Sequence, residues 1–195
     1  MKVEILGING TWRDIANSAN TTINKEAGDK EISSAWKTKI LYSEHSPIRQ
    51  LVVKWKWHDL KSWVSTHLVR HKYGIEHYVS TQRSDRTKVN RDSLTQDALV
   101  VHECHANAQA IINISKVRLC KQASIETRVA WQTFLDVLEV YEPELVSACV
   151  PTCIYRGFCP EFKSCRFDKN WDFYNKLYNY RGKLELYDKN QINKG

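Results

Sequence analysis

The sequence predicts a chain of mixed α and β structure, and three observations carry that expectation. Residues 53–57 alternate apolar and basic, Val53-Lys54-Trp55-Lys56-Trp57, which is the period of a half-buried strand. Leu60, Trp63, Val64, His67 and Leu68 then fall at the i, i+3, i+4, i+7, i+8 spacing of a helix face. An apolar share of 42% over 195 residues is enough for the core of one domain.

Taken in order, the elements are as follows. Residues 1–30 open on the apolar run Val3-Glu4-Ile5-Leu6 and continue into polar, Asn-rich sequence with at most one helix, near Trp12 to Asn20. Ser46-Pro47 supplies a turn before the strand. Asp59 can cap the helix that follows, which delivers Arg70-His71-Lys72 at its end. Residues 73–100 show no sustained period and read as a long loop; such loops in compact domains are functional or disordered. Ala106 to about Val140 reads as helix in two pieces broken near Ser115. The second piece puts Ile125, Val129, Phe134, Val137 and Leu138 on its apolar face. Glu142-Pro143-Glu144 ends it. A Cys- and Pro-containing stretch, 149–166, leads to an aromatic-rich terminal helix over 170–180, and the last residues are expected to fray. The expected organisation is a domain of residues 1–166 with a C-terminal helical extension, 167–195.

Composition narrows the function classes. No stretch approaches the roughly 20 apolar residues of a membrane helix. The start, Met-Lys-Val-Glu-Ile-Leu-Gly, lacks the apolar region of a secretory signal, so a cytoplasmic protein is expected. The formal net charge of +7 favours anionic partners. That charge is concentrated. Residues 70–91 hold Arg70, Lys72, Arg83, Arg86, Lys88 and Arg91 against only Glu76 and Asp85. A charge run is often a solvated face. Here, however, guanidinium forks, hydroxyls (Ser80, Thr81) and imidazoles (His67, His71) share a short span, and such a set can complete the shell of a phosphate or a base edge.

The same residues carry a resemblance. Arg70-His71-Lys72 followed by Ser80-Thr81-Gln82-Arg83 resembles the signature of the flavin-dependent thymidylate synthases, Arg-His-Arg and then Ser-x-Arg. Asn107-Ala108-Gln109 resembles the family's Asn-Ala-Arg, with Asn113 and Arg118 at the family's spacing beyond it. Arg91-Asp-Ser-Leu94 stands where an Arg-x-x-Leu-Pro is usual. Val150-Pro-Thr-Cys153 and Gly157-Phe-Cys159-Pro-Glu161 resemble the end of many members. The likeness covers roughly residues 44–165. Departures are Lys72 for the second Arg, Ile75 for a Ser, Gln50 for a His and Gln109 for an Arg; the connection from Arg83 to Arg91 is also short.

The resemblance implies an α+β fold with a twisted, mainly antiparallel sheet flanked by helices. It implies reductive methylation of dUMP to dTMP, with methylenetetrahydrofolate as one-carbon donor and NADPH reducing bound FAD, in a homotetramer whose sites are shared between subunits. Arg70, His71, Lys72, Asn107, Gln109 and Asn113 would contact the flavin. His67, Arg70, Ser80, Thr81, Gln82, Arg83, Arg91 and Arg118 would contact dUMP. Arg118 would carry the catalytic role, stabilising negative charge on the pyrimidine. Related chemistry, such as hydroxymethylation of dUMP, is an alternative. So is a non-enzymatic protein that binds nucleic acid or metal, although nucleic acid is not the expected partner.

Two further groups have competing readings. Cys149, Cys153, Cys159 and Cys165 are dense enough to hold zinc, yet their spacing is not that of zinc ribbons, and free or redox-active thiols are the favoured reading. His102 and His105 flank Cys104 without a paired ligand motif and read as polar residues near a helix start. Trp55, Trp57, Trp63 and the C-terminal aromatics read as core rather than as base-stacking platforms.

Overall fold

The computed structural model describes the backbone of residues 1–192 and the side chains of residues 1–183. Four strands, β1 (Lys2–Asn9), β2 (Val52–Lys61), β3 (Ile75–Val79) and β4 (Leu99–Asn107), form one antiparallel sheet in the order β1-β2-β4-β3. The helices are α1 (Trp12–Thr22), α2 (Ser34–Tyr42), α3 (Ser62–Leu68), α4 (Ser84–Thr87), α5 (Ala108–Arg118), α6 (Ile125–Leu138), α7 (Pro143–Ala148), α8 (Thr152–Arg156) and α9 (Trp171–Ile192). The fold is therefore α+β, as expected. Among the described residues no helix is long and apolar enough to cross a membrane.

Alternation explains the sheet's two faces. Val53, Trp55 and Trp57 of β2 and Val100, His102, Cys104 and Ala106 of β4 all point into the core. The α5–α6 pair covers this face. Trp55 stacks on Phe134 with ring centroids 4.0 Å apart. The Trp57 indole donates to the Ala130 carbonyl at 3.1 Å, and the Trp131 indole donates to the Ser115 hydroxyl at 2.8 Å. These bonds let polar tips be buried with aromatic mass. Side-chain caps start α1, α2, α5 and α6: Thr11 with Asp14 in a capping box, Ser33, Asn107 and Ser124.

Several expectations are corrected. Asp59 does not cap a helix. It lies inside β2 at φ 55°, in a bulge between Trp57 and Leu60 that returns Leu60 to the core face. Helix α3 begins at Ser62, preceded by Lys61 with no side-chain cap. The 73–100 segment is not one loop, because β3, α4 and the start of β4 lie in it. β3 is short, and its apolar residues are interrupted by His77, so alternation was hard to see. The helix read from Ala106 starts at Ala108, and His102 and His105 belong to β4, on opposite faces. The break falls at 119–124 rather than at Ser115, which is buried within α5. On α6, Ile125 and Val129 are exposed; the inward face is Thr127, Ala130, Trp131, Phe134, Leu135 and Leu138. Small residues there let the helix approach closely enough to lay Trp131 over the sheet tryptophans.

Trp55 and Trp57 are core, but the C-terminal aromatics divide. Phe173 is buried, whereas Trp171, Tyr174 and Tyr178 are exposed. α9 returns to the domain through Tyr180, which stacks on Tyr42 at 4.7 Å. The terminal helix expected over 170–180 runs on to Ile192, so the backbone there is helical where fraying was expected; residues 193–195 lie outside those described.

Candidate active site

The site is organised by where α3 ends and α5 ends. α3 leads into Val69 and Arg70 at a turn, and His71 follows half-buried. α5 runs back under this turn and carries Arg118 in its last turn. The Arg118 Nε–H donates to His71 Nε2 at 2.8 Å, and one terminal nitrogen donates to the His67 carbonyl. A guanidinium cannot accept, so His71 Nε2 must be the acceptor and the ring is neutral. Burial, Arg118 and then His77 push the His71 pKa down to about 4, in agreement with that state. His67 is lowered by burial first, then by Arg118 and Arg70; Arg118 itself is lowered by burial and by Arg70. The His67 ring is fixed by the Thr127 hydroxyl at 3.0 Å and by the edge of Trp63. Among the described residues no carboxylate pairs with Arg70, Lys72 or Arg118. The cluster is thus a partly buried positive field with N–H groups of Arg118 left to a ligand.

A second set lies along α5. Gln109 donates to Glu44 at 2.5 Å, Lys116 pairs with the other Glu44 oxygen at 2.5 Å, and both touch Asn113 Oδ1 at 3.4 Å. Lys116 also lies 3.9 Å from the Tyr155 ring centre. Asn107 is the N-cap of α5: its Oδ1 accepts from the Ala110 amide at 2.9 Å. Its amide lies against Gly74, where φ is +73° and a Cβ would come within 2.6 Å of Asn107 Nδ2. Asn107 and Gly74 thereby lock the turn after Lys72 to the start of α5.

The third set stands apart. Ser80 is bonded to Val101 in both directions, its amide at 2.9 Å and its hydroxyl at 3.0 Å. Thr81 accepts from the Arg83 amide, and the exposed Arg83 guanidinium meets Asp85 through two contacts at 3.0 and 2.8 Å. Arg91 is exposed, and its amide is bonded to Ser84 at 2.9 Å. Gln82 lies half-buried between them. No hydrogen bond or ion pair among the described residues joins this segment to the Arg118 cluster. The structure therefore brings together His67, Arg70, His71 and Arg118, and separately Gln109 and Asn113. Among the described residues Ser80 to Arg91 are hydrogen-bonded to neither group.

Sequence reasoning missed four contributors: Glu44, Thr127, Lys116 and His77. His77 Nε2 faces the His71 carbonyl at 2.8 Å and so donates to it. His77 Nδ1 meets His102 Nε2 at 3.0 Å, and His102 Nδ1 is, with Trp55 Nε1, one of two buried side-chain polar atoms without a partner among the described residues. Burial, then His77, lowers the His102 pKa to about 4. Cys104 Sγ lies 3.3 Å from both imidazoles, and burial first, then Glu103, raises its pKa. Only the β3–β4 pairing puts these residues together; no local motif announces them.

The comparisons bear on this geometry. No protein-family model matches the chain, and no curated protein matches its sequence. Solved structures do match. A UMP/dUMP methylase, PolB, from Streptomyces cacaoi, bound with 5-Br dUMP, superposes with a TM-score of 0.60 at 12% identity, covering 80% of this chain and 95% of that one. The flavin-dependent thymidylate synthase ThyX from Helicobacter pylori, complexed with FAD and dUMP, superposes with a TM-score of 0.61 at 14% identity, covering 77% of this chain and all of the other. This chain shares their fold. At that identity the likeness speaks for the fold alone, and the chemistry must be argued from the residues.

Proposed function

We propose that this protein modifies a uridine monophosphate, and specifically that it methylates dUMP reductively to dTMP. One observation carries the reading: in this fold, Arg118 is held by a neutral histidine and a carbonyl with no carboxylate to quench it. Such a guanidinium favours the charge that develops on a pyrimidine activated at C5. His71 contributes by accepting from Nε, so the remaining N–H groups keep one orientation. His67, tied to Thr127, holds the other side. Neighbours that bind dUMP or 5-Br dUMP support the substrate class.

The flavin fits the same surface. Arg70 and Lys72 are exposed cations without carboxylate partners among the described residues, suited to a dinucleotide pyrophosphate. Asn107, Gln109 and Asn113 offer amides along α5. FAD, when bound, supplies the hydride chemistry that no side chain can perform. NADPH and methylenetetrahydrofolate are the co-substrates of this reading. Thr81 to Arg83 and Arg91 serve the dUMP phosphate of a neighbouring chain, which makes a homotetramer with shared sites the expected assembly. Arg83 must then exchange Asp85 for phosphate.

The test is direct. The purified protein should carry or take up FAD, and dUMP should bind it. NADPH oxidation with methylenetetrahydrofolate should yield dTMP. UMP in place of dUMP separates the two neighbour-like substrates. A protein that binds neither flavin nor any uridine monophosphate refutes the reading.

A further inference from the structure

We infer that Cys120, Cys153, Cys159 and Cys165 form a structural site for a single zinc ion. These four of the six cysteines come from three places: the turn after α5, the first turn of α8, and the irregular segment between Gly157 and Phe167. All four line one small cavity of about 20 Å³, together with Lys121 and Pro160. That is room for about one water-sized body. The sequence set is thereby changed by one member. Cys149 is wholly buried beside Ser115, its pKa raised to about 12, and it does not line this cavity; Cys120 takes its place.

Four thiols lining one cavity are the donor set zinc prefers. Zinc–sulfur bonds of ~2.3 Å put tetrahedral sulfurs about 3.8 Å apart. Among the described residues only His77, His102 and Cys104 have three ligand atoms all within 4.8 Å of one another. Among the described residues no three of the four thiols lie within 4.8 Å of one another, so a bound zinc would have to draw them inward. Each gives its proton to solvent as its sulfur bonds the ion, so the four thiols and Zn²⁺ yield a complex of net charge −2 and four protons. Lys121, on the cavity wall, would offset part of that charge, while Glu161 and Asp168, which also line the cavity, would add to it.

The ion's place in the fold explains its use. The 157–170 segment has little regular structure, and its tie to the α5–α6 turn is a short list: Gln122 to the Lys163 carbonyl at 2.6 Å and Lys121 over the Phe167 ring at 4.1 Å. Zinc would cross-link this segment and α8 to a residue two positions beyond Arg118. It would thus brace the end of α5 that presents the guanidinium.

The experiment is metal analysis of the protein purified under reducing conditions, with and without a zinc chelator. The expected result is about one zinc per chain, lost in the Cys159→Ser/Cys165→Ser protein and kept in His77→Ala and Cys104→Ser. A second readout needs no variant to fold: Cys165, which is exposed, should resist alkylation in the zinc-loaded protein and react once the chelator is added. Burial alone cannot produce that change. Zinc lost instead in His77→Ala or Cys104→Ser overturns the assignment. So does iron with acid-labile sulfide, a pair of disulfides, or no metal after reconstitution with zinc.

Discussion

Arg118 and His71 act as a pair, and their separate removal should leave different traces. Arg118→Ala removes the charge at the pyrimidine and should lower turnover by about 10²–10³, the usual effect of losing one preorganised donor. Arg118→Lys keeps the charge but loses the planar fork, so it should recover only part of the rate. His71 speaks through pH. Its pKa and that of His102 both fall to about 4 in the folded chain, from an ordinary 6.5. Above 6.5 both states hold neutral rings and the stability is full. As pH falls from about 6.5 towards 4 the unfolded chain takes up protons that the folded chain refuses, so stability drops across that window. Urea midpoints through this range should show the drop, and His71→Gln should flatten part of it. An unchanged slope in that variant would remove the argument for a neutral His71.

At the scale of elements, α5 is the beam that carries the site, and both of its ends are anchored. Asn107 caps its start and Arg118 closes its last turn. Asn107→Ala should cost about 1 kcal/mol through the lost cap, with Asn107→Ser retaining most of it. Gly74→Ala should cost about 1–3 kcal/mol, since a side chain at φ +73° is strained and would press on the Asn107 amide. Thermal melts of the two single variants and the double variant would measure both effects. Because the residues touch, the effects should fall short of additive. The strand β2 was legible in the sequence because its two faces differ so sharply, tryptophan against lysine. Its bulge at Asp59 was not, because a residue that caps helices by chemistry can equally take φ 55° in a strand, and only the partner strand β4 decides between them.

For the whole molecule, the expected ligand contacts fall into two groups, the Arg118 cluster and the Ser80–Arg91 segment, that no hydrogen bond or ion pair among the described residues joins. If the site is completed by a neighbouring subunit, Arg83→Ala and Arg118→Ala, each inactive alone, should regain activity when co-expressed. Random mixing would leave about a quarter of sites with both arginines. Activity no greater than that of either variant would place both residues in one chain's site or Arg83 outside it.

The sequence by itself determined the mixed α and β character, the strand at Val53–Trp57, the helix at Trp12 and the concentration of positive charge at 70–91. The family resemblance, not spacing by itself, implied that Arg70, His71 and Arg118 share a site. These are local patterns, written in side-chain chemistry and short periods. Only the tertiary structure decided the rest. The pairing of β3 with β4 brought His77 to His102 and Cys104. The return of the chain to α2 brought Glu44 to Gln109 and Lys116. The packing of the 157–170 segment against the α5–α6 turn exchanged Cys149 for Cys120 at the thiol cavity. In each case the partners are distant in sequence, and what joins them is the sheet register or the burial of an apolar face, neither of which any single segment encodes.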